Sequence, residues 1–141
     1  MPYATLTDLI ERAGETEIRQ IADRDRDGTP DPAVVDAALT DADNAIDGYV
    51  FARYARPLPS IPPVLKTWAV AIARYILHRN GAPDHVAQDY KDAIASLKDV
   101  AAGRYSLPVA PDDPAPVSQT GQVMASHPDQ VFTQQRLAGW R

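Results

Sequence analysis

The densest chemistry in this chain sits in A-D-R-D-R-D-G-T-P-D-P-A-V-V, residues 22–35. Counted from Asp23, the residues Asp23, Asp25, Asp27 and Asp31 hold positions one, three, five and nine of a calcium-binding loop. Gly28 holds the sixth, where such loops turn sharply. The pattern breaks at the twelfth position, where Val34 stands in place of a bidentate glutamate. Arg24 and Arg26 offset part of the carboxylate charge, and Pro32 starts a helix before the loop can close around an ion. Calcium takes about six to eight oxygen ligands, which this loop reaches only with waters. The segment therefore reads as an Asp/Gly turn, with Asp31 as N-cap and Pro32 at the first helical position. No metal and no other cofactor is expected.

Other reactive groups do not assemble by motif. His78, His85 and His127 are scattered, and His85 and Asp89, four apart on a helix, read as an ordinary surface pair. There is no cysteine, hence no thiolate ligand, disulfide or cysteine nucleophile. Neither a phosphate-binding loop nor a G-x-G-x-x-G turn is present. The carboxylates Asp36, Asp41, Asp43 and Asp47 fall on the polar face of one helix and read as a solvated acidic face. Arg53, Arg56, Lys66, Arg74 and Arg79 form a modest basic group that reads as surface charge. The expectation is a protein that is not an enzyme. Net charge is -5, from 14 Lys+Arg against 19 Asp+Glu, which disfavours non-specific nucleic-acid binding, since that needs clustered cations. No signal-like segment opens the chain. No apolar run approaches the roughly 20 residues of a membrane span, so a soluble, cytoplasmic product with no membrane partner is expected.

The elements that must position these groups are helical. A short helix starts near Thr5 or Thr7 and stops at Gly14, with Leu6, Leu9, Ile10 and Ala13 on one face; a second runs from Glu15 to Ala22. The helix from Pro32 to about Arg53 repeats Val35, Ala38, Leu39, Ala42, Ile46, Tyr49, Val50 and Arg53 at three and four. Gly48 inside it suggests another helix packed close. Pro57-Leu58-Pro59-Ser60-Ile61-Pro62-Pro63 reads as a stiff crossover. Between Lys66 and Arg74 the next helix, Val64 to Arg79, carries no charge on any face, so it is expected to be the central buried element. Asp84 is expected to cap the last helix, which runs to about Ala102 and is closed by Gly103.

The fold class is thus all-α: a small bundle of four to five helices at residues 1–103, with a long extended C-terminal arm at 104–141. The arm is proline-rich over Pro108 to Pro116, then regains apolar anchors at Val131, Phe132, Leu137 and Trp140. Those four residues are the expected contact with a partner or a neighbouring subunit, because late aromatic anchors are typical of interface hot spots. A short strand at 122–125 is a further expectation.

Several stretches together resemble a family of small proteins of Mu-like phages and prophages, encoded among the head genes. They are Y-A-T-L-T-D-L-I-E-R-A-G-E at 3–15, the D-R-D-R-D-G loop with P-A-V-V-D-A-A-L at 32–39, and A-I-D-G-Y-V-F-A-R-Y at 45–54. P-L-P-S-I-P-P-V-L-K at 57–66, I-A-R-Y-I-L-H at 72–78 and L-K-D-V-A-A-G-R-Y-S-L-P at 97–108 follow. The closing Val131, Phe132, Leu137, Gly139 and Trp140 resemble the family's ending. Such proteins look similar to head-completion or adaptor proteins of long-tailed phages. The resemblance implies a structural protein of the virion neck, at the head–tail interface, assembled in the host cytoplasm and placed in a ring that is roughly twelve-fold beneath the portal. It would extend the DNA channel without binding DNA specifically, with the portal protein, neighbouring copies of itself and a tail-side neck or terminator protein as partners. Two other readings of the residues stand beside it. One is a small helical DNA-binding regulator with a helix-turn-helix at about residues 18–38; the other is a metal-dependent enzyme built on the aspartate loop.

Overall fold

Helix breakers and caps divide the chain where the fold needs corners. The computed structural model describes residues 2–109; the expected anchors Val131, Phe132, Leu137 and Trp140, and the expected strand at 122–125, lie outside the described residues. Five helices follow in order: α1, Leu6–Ala13; α2, Glu15–Ala22; α3, Pro32–Val50; α4, Pro63–Leu77; and α5, Asp84–Ala101. There is no strand among the described residues, so the all-α expectation holds for them. Thr5 caps α1 in a capping box: its hydroxyl accepts from the Asp8 N–H, while Asp8 Oδ2 accepts from the Thr5 N–H at 2.8 Å. Gly14, at φ 89°, ends α1 and begins α2 in a conformation that a side chain would strain.

α4 is the centre of the bundle, packed against α3, α5 and α1. Leu65, Ala69, Ile72, Ala73 and Leu77 are fully or almost fully buried. α3 also packs on α5, and α1 pairs with α2, so a three-helix bundle carries a short helical hairpin on one side. The apolar stripe of α3 is buried at Val35, Ala38, Leu39, Ala42, Ile46 and Val50, whereas Tyr49 is half-buried and Arg53, also half-buried, lies beyond the helix end.

Several local expectations are corrected. α4 is not buried all round, since Ile76 is 37 % exposed while Val70 and Leu77 face the core. α3 stops at Val50, and Arg53 and Tyr54 close a turn onto its carbonyl. α4 ends at Leu77 rather than Arg79, where His78 leaves helical geometry. Asp84 is the first residue of α5 rather than its cap, a place held by Pro83. Gly48 has no neighbour where a Cβ would stand, so close packing does not account for it. The connection between α2 and α3 runs from Asp23 to Asp31, longer than the three- or four-residue turn of a helix-turn-helix.

Beyond α5 the chain stays on the helices. Gly103 turns it at φ 78°, the Leu107 N–H donates to Tyr54 Oη at 2.9 Å, and the Leu107 side chain is buried. Tyr105 meets Trp68 edge-on, with ring centroids 5.8 Å apart. A Cβ on Gly103 would overlap the Arg53 guanidinium. Gly103→Ala therefore combines a left-handed backbone with displacement of Arg53. It is expected to lower unfolding free energy by about 1–2 kcal/mol, read as a lower urea midpoint with an unchanged slope.

Candidate functional site

The aspartate loop is closed by short-range hydrogen bonds. Asp23 accepts the Arg26 N–H on Oδ1 at 2.6 Å and the Gly28 N–H on Oδ2 at 2.9 Å. Asp25 Oδ1 accepts from the Asp27 N–H at 3.1 Å, and Asp27 Oδ1 from the Thr29 N–H at 2.8 Å and the Thr29 hydroxyl at 2.7 Å. Arg26 takes φ 65° and Gly28 φ 92° to make this possible. Oxygens of Asp23, Asp25 and Asp27 come within 4.8 Å of one another. Asp31 does not join them. It occupies the N-cap position of α3 but makes no side-chain cap there; its Oδ2 turns back to accept the Arg24 N–H at 2.8 Å. The loop ends are tied by Asp31 N–H to the Ala22 carbonyl at 3.1 Å.

Electrostatics in the loop differ between neighbours. The Thr29 hydroxyl and N–H hold the Asp27 carboxyl below the usual range. Asp25 goes the other way. Its largest single influence, the bond from the Asp27 N–H, favours the charged form, but desolvation and repulsion from Asp27 and Asp31 together outweigh it. Three clustered carboxylates supply fewer ligands than calcium's usual set.

The structure brings together a second polar cluster that sequence reading missed. Arg74, on the central helix and only 9 % exposed, donates from Nε to Glu17 Oε1 and from Nη2 to Glu17 Oε2, both at 2.7 Å. This is a two-pronged guanidinium–carboxylate pair. His78 Nε2 lies 3.2 Å from Glu17 Oε1, and His85 Nε2 lies 3.4 Å from Arg74 Nη2. Thus α2, α4 and α5 meet at one guanidinium, and His85 is placed against Arg74 rather than paired with Asp89. A signal was present in the sequence: a charge inside an otherwise apolar helix must find a partner when buried. Which residue would provide it was not legible.

The expected acidic face of α3 divides in two. Asp36 and Asp41 are exposed. Asp43 and Asp47 are half-buried and hold the N-terminal segment: the Tyr3 N–H donates to Asp43 Oδ1 at 3.1 Å, and the Tyr3 hydroxyl to Asp47 Oδ1 at 2.5 Å. Burial raises the Asp43 carboxyl above the usual range. Burial, reinforced by the Asp47 bond, raises the Tyr3 hydroxyl. The solvated face is corrected to a partly covered one, because Tyr3 lies over it.

The basic group is also not one patch. Arg74 is consumed by Glu17, Lys66 Nζ meets Asp8 Oδ1 at 3.0 Å, Arg56 sits 4.2 Å above the Phe51 ring, and Arg53 lies against Gly103. These side chains join elements rather than pool their charge. Nor is any helix among the described residues long and apolar enough to cross a membrane.

The Arg74 cluster generates a sign-definite expectation. The Arg74 bond, with His78 assisting, holds the Glu17 carboxyl below its ordinary 4.5. The pair's contribution is therefore full above pH 4.5 and is lost as pH falls through the lowered folded value. Glu17→Ala leaves the guanidinium buried without its partner and is expected to cost about 3 kcal/mol at pH 7. Glu17→Gln is expected to flatten the acid limb of a urea-midpoint profile. An unchanged profile would mean that the pair contributes nothing.

Comparison with known proteins gives a consistent picture. The family described as Bacteriophage Mu, Gp36 matches residues 3–126, so the anchors from Val131 onward lie beyond that match. The chain is 40% identical over 124 residues to the Mu-like prophage FluMu protein gp36 of Haemophilus influenzae, covering 88% of each chain. It is 34% identical over 105 residues to gene product J of Escherichia phage Mu, covering 74% of each.

Proposed function

This chain belongs to the bacteriophage Mu Gp36 family, and from that premise we propose that it is a structural protein of the virion neck. In this reading, copies form a ring between the portal and the tail and extend the DNA channel. Its partners are the portal protein, neighbouring copies and a tail-side neck or terminator protein. The observation that carries the reading is the near full-length match to proteins of Mu-like phages.

The molecule's physical character is in keeping with the role. Its ion pairs join one helix to another: Lys66 ties α4 to α1, and Arg74 ties α4 to α2. A subunit cross-braced in this way can transmit load without changing shape. Asp36 and Asp41 remain exposed, and with a net charge of -5 they suit a surface that passing DNA should not adhere to. The apolar anchors Val131, Phe132, Leu137 and Trp140 suit an arm that grips the portal or a neighbour and pays its ordering entropy on docking.

The test is genetic and visual. Phage lacking this protein are expected to accumulate DNA-packaged heads and free tails, and a tagged copy is expected to locate at the neck in electron micrographs. Removing residues 128–141 is expected to leave the helical core folded, with unchanged helical circular dichroism, while heads and tails fail to join. A tag found on the tail tip or inside the head would overturn the neck position, and normal joining by the truncated chain would remove the arm from it.

A further inference from the structure

The proline crossover does more than connect α3 to α4. It forms one side of a groove of about 560 Å³ against the N-terminal segment, with Tyr3, Asp47, Phe51, Arg56, Leu58 and Ile61 on its walls. A smaller recess of about 130 Å³ adjoins it, sharing the stretch from Arg56 to Pro59 and adding Tyr54 and Val109. The surface is aromatic and proline-rich, with one guanidinium at its edge. That guanidinium stacks on Phe51, and Arg56 makes no ion pair among the described residues.

Where the chain leaves the described region names an occupant. The Leu107 N–H is held by Tyr54 Oη, and Val109, two residues on, lines the recess. The chain is therefore delivered to the mouth of the groove. The residues that follow, Ala110 to Pro116, read A-P-D-D-P-A-P. Pro111 and Pro114 are three apart, so in a polyproline II helix, with three residues per turn, they share one face. Grooves lined by aromatic side chains take such segments at little entropic cost, because the ligand is already extended. Between the two prolines stand Asp112 and Asp113, the carboxylates that Arg56 lacks. The advance from Val109 to Pro116 is about 22 Å at 3.1 Å per residue, enough to run the length of such a groove.

We propose that this groove is a polyproline seat filled by residues 110–116 of the same chain, with one carboxylate of the Asp112–Asp113 pair facing Arg56. The seat fixes the point from which residues 117–141 depart, so the terminal anchors start from the crossover side of the bundle. This assignment stands on the groove and the sequence beside it and does not depend on the neck reading.

The absence of cysteine makes a direct test clean. In the full-length chain, Ser60→Cys with Ala115→Cys puts one thiol on the groove wall and one on the segment; Lys91→Cys with Ala115→Cys is the control, on an exposed site of α5. Mild oxidation followed by mass spectrometry and a non-reducing gel reads the product, and circular dichroism confirms folding. The groove pair is expected to close within one chain at least about tenfold faster than the control, through its higher effective concentration. Arg56→Glu is expected to remove most of that advantage. Equal rates for the two pairs would show a tail that samples all surfaces and would overturn the seat, as would no disulfide at all. Disulfide-linked dimers in place of the intrachain product would overturn the same-chain assignment in favour of a segment from a second copy.

Discussion

A guanidinium buried in the middle of an apolar helix has to be neutralised, and much of this fold follows from how that is done. α4 is the helix on which α1, α3 and α5 pack, and Arg74 sits on its buried side. Left alone there, its charge would cost several kcal/mol, by the roughly 3–5 kcal/mol that breaking such pairs entails. Glu17 answers it with both carboxylate oxygens, which fixes α2 against α4. α2 has few apolar contacts of its own, chiefly Ile18 and Ala22, so the pair does for it what a hydrophobic face does for longer helices. Once α2 is placed, the Ala22 carbonyl is placed, and it receives the Asp31 N–H that sets the start of α3. The aspartate loop is the local device that makes this closure possible in so few residues.

Acidic side chains here work mainly as acceptors for nearby N–H and O–H groups. Asp8 closes the cap of α1 and meets Lys66. Asp23, Asp25, Asp27 and Asp31 hold loop amides, and Asp43 and Asp47 hold Tyr3. Spending these carboxylates on hydrogen bonds gives each a fixed position. The exposed remainder, Asp36 and Asp41 on α3 among them, is then what the surface presents to solvent.

The same economy describes the crossover. Prolines that stop α3 from running on into α4 also build a groove beside Tyr3 and Phe51, and the chain returns past Tyr54 to its edge after α5. Membership of the Mu Gp36 family directs attention to surfaces of this kind, since a structural phage protein acts through what it touches.

Helix existence and helix faces were legible in the sequence. The three-and-four spacing of Val35, Ala38, Leu39, Ala42 and Ile46 states which side of α3 is buried, Gly14 and the proline crossover state where helices break, and Thr5 with Asp8 states where one begins. Each is a local matter, decided within a few residues by backbone geometry and side-chain period. The site was only half legible. The D-x-D-x-D-G spacing announced a tight loop, yet the turning of Asp31 to Arg24 instead of to its own helix was decided by the closure of that loop. That Arg74 needs a partner follows from its neighbours on α4; that the partner is Glu17, fifty-seven residues earlier, follows only from how α2 packs. Likewise Asp43 and Asp47 look like free surface charge until Tyr3 lies across them. Periodicity reports which face a residue is on, whereas the partner of a polar group is a long-range contact, set when the helices are brought together.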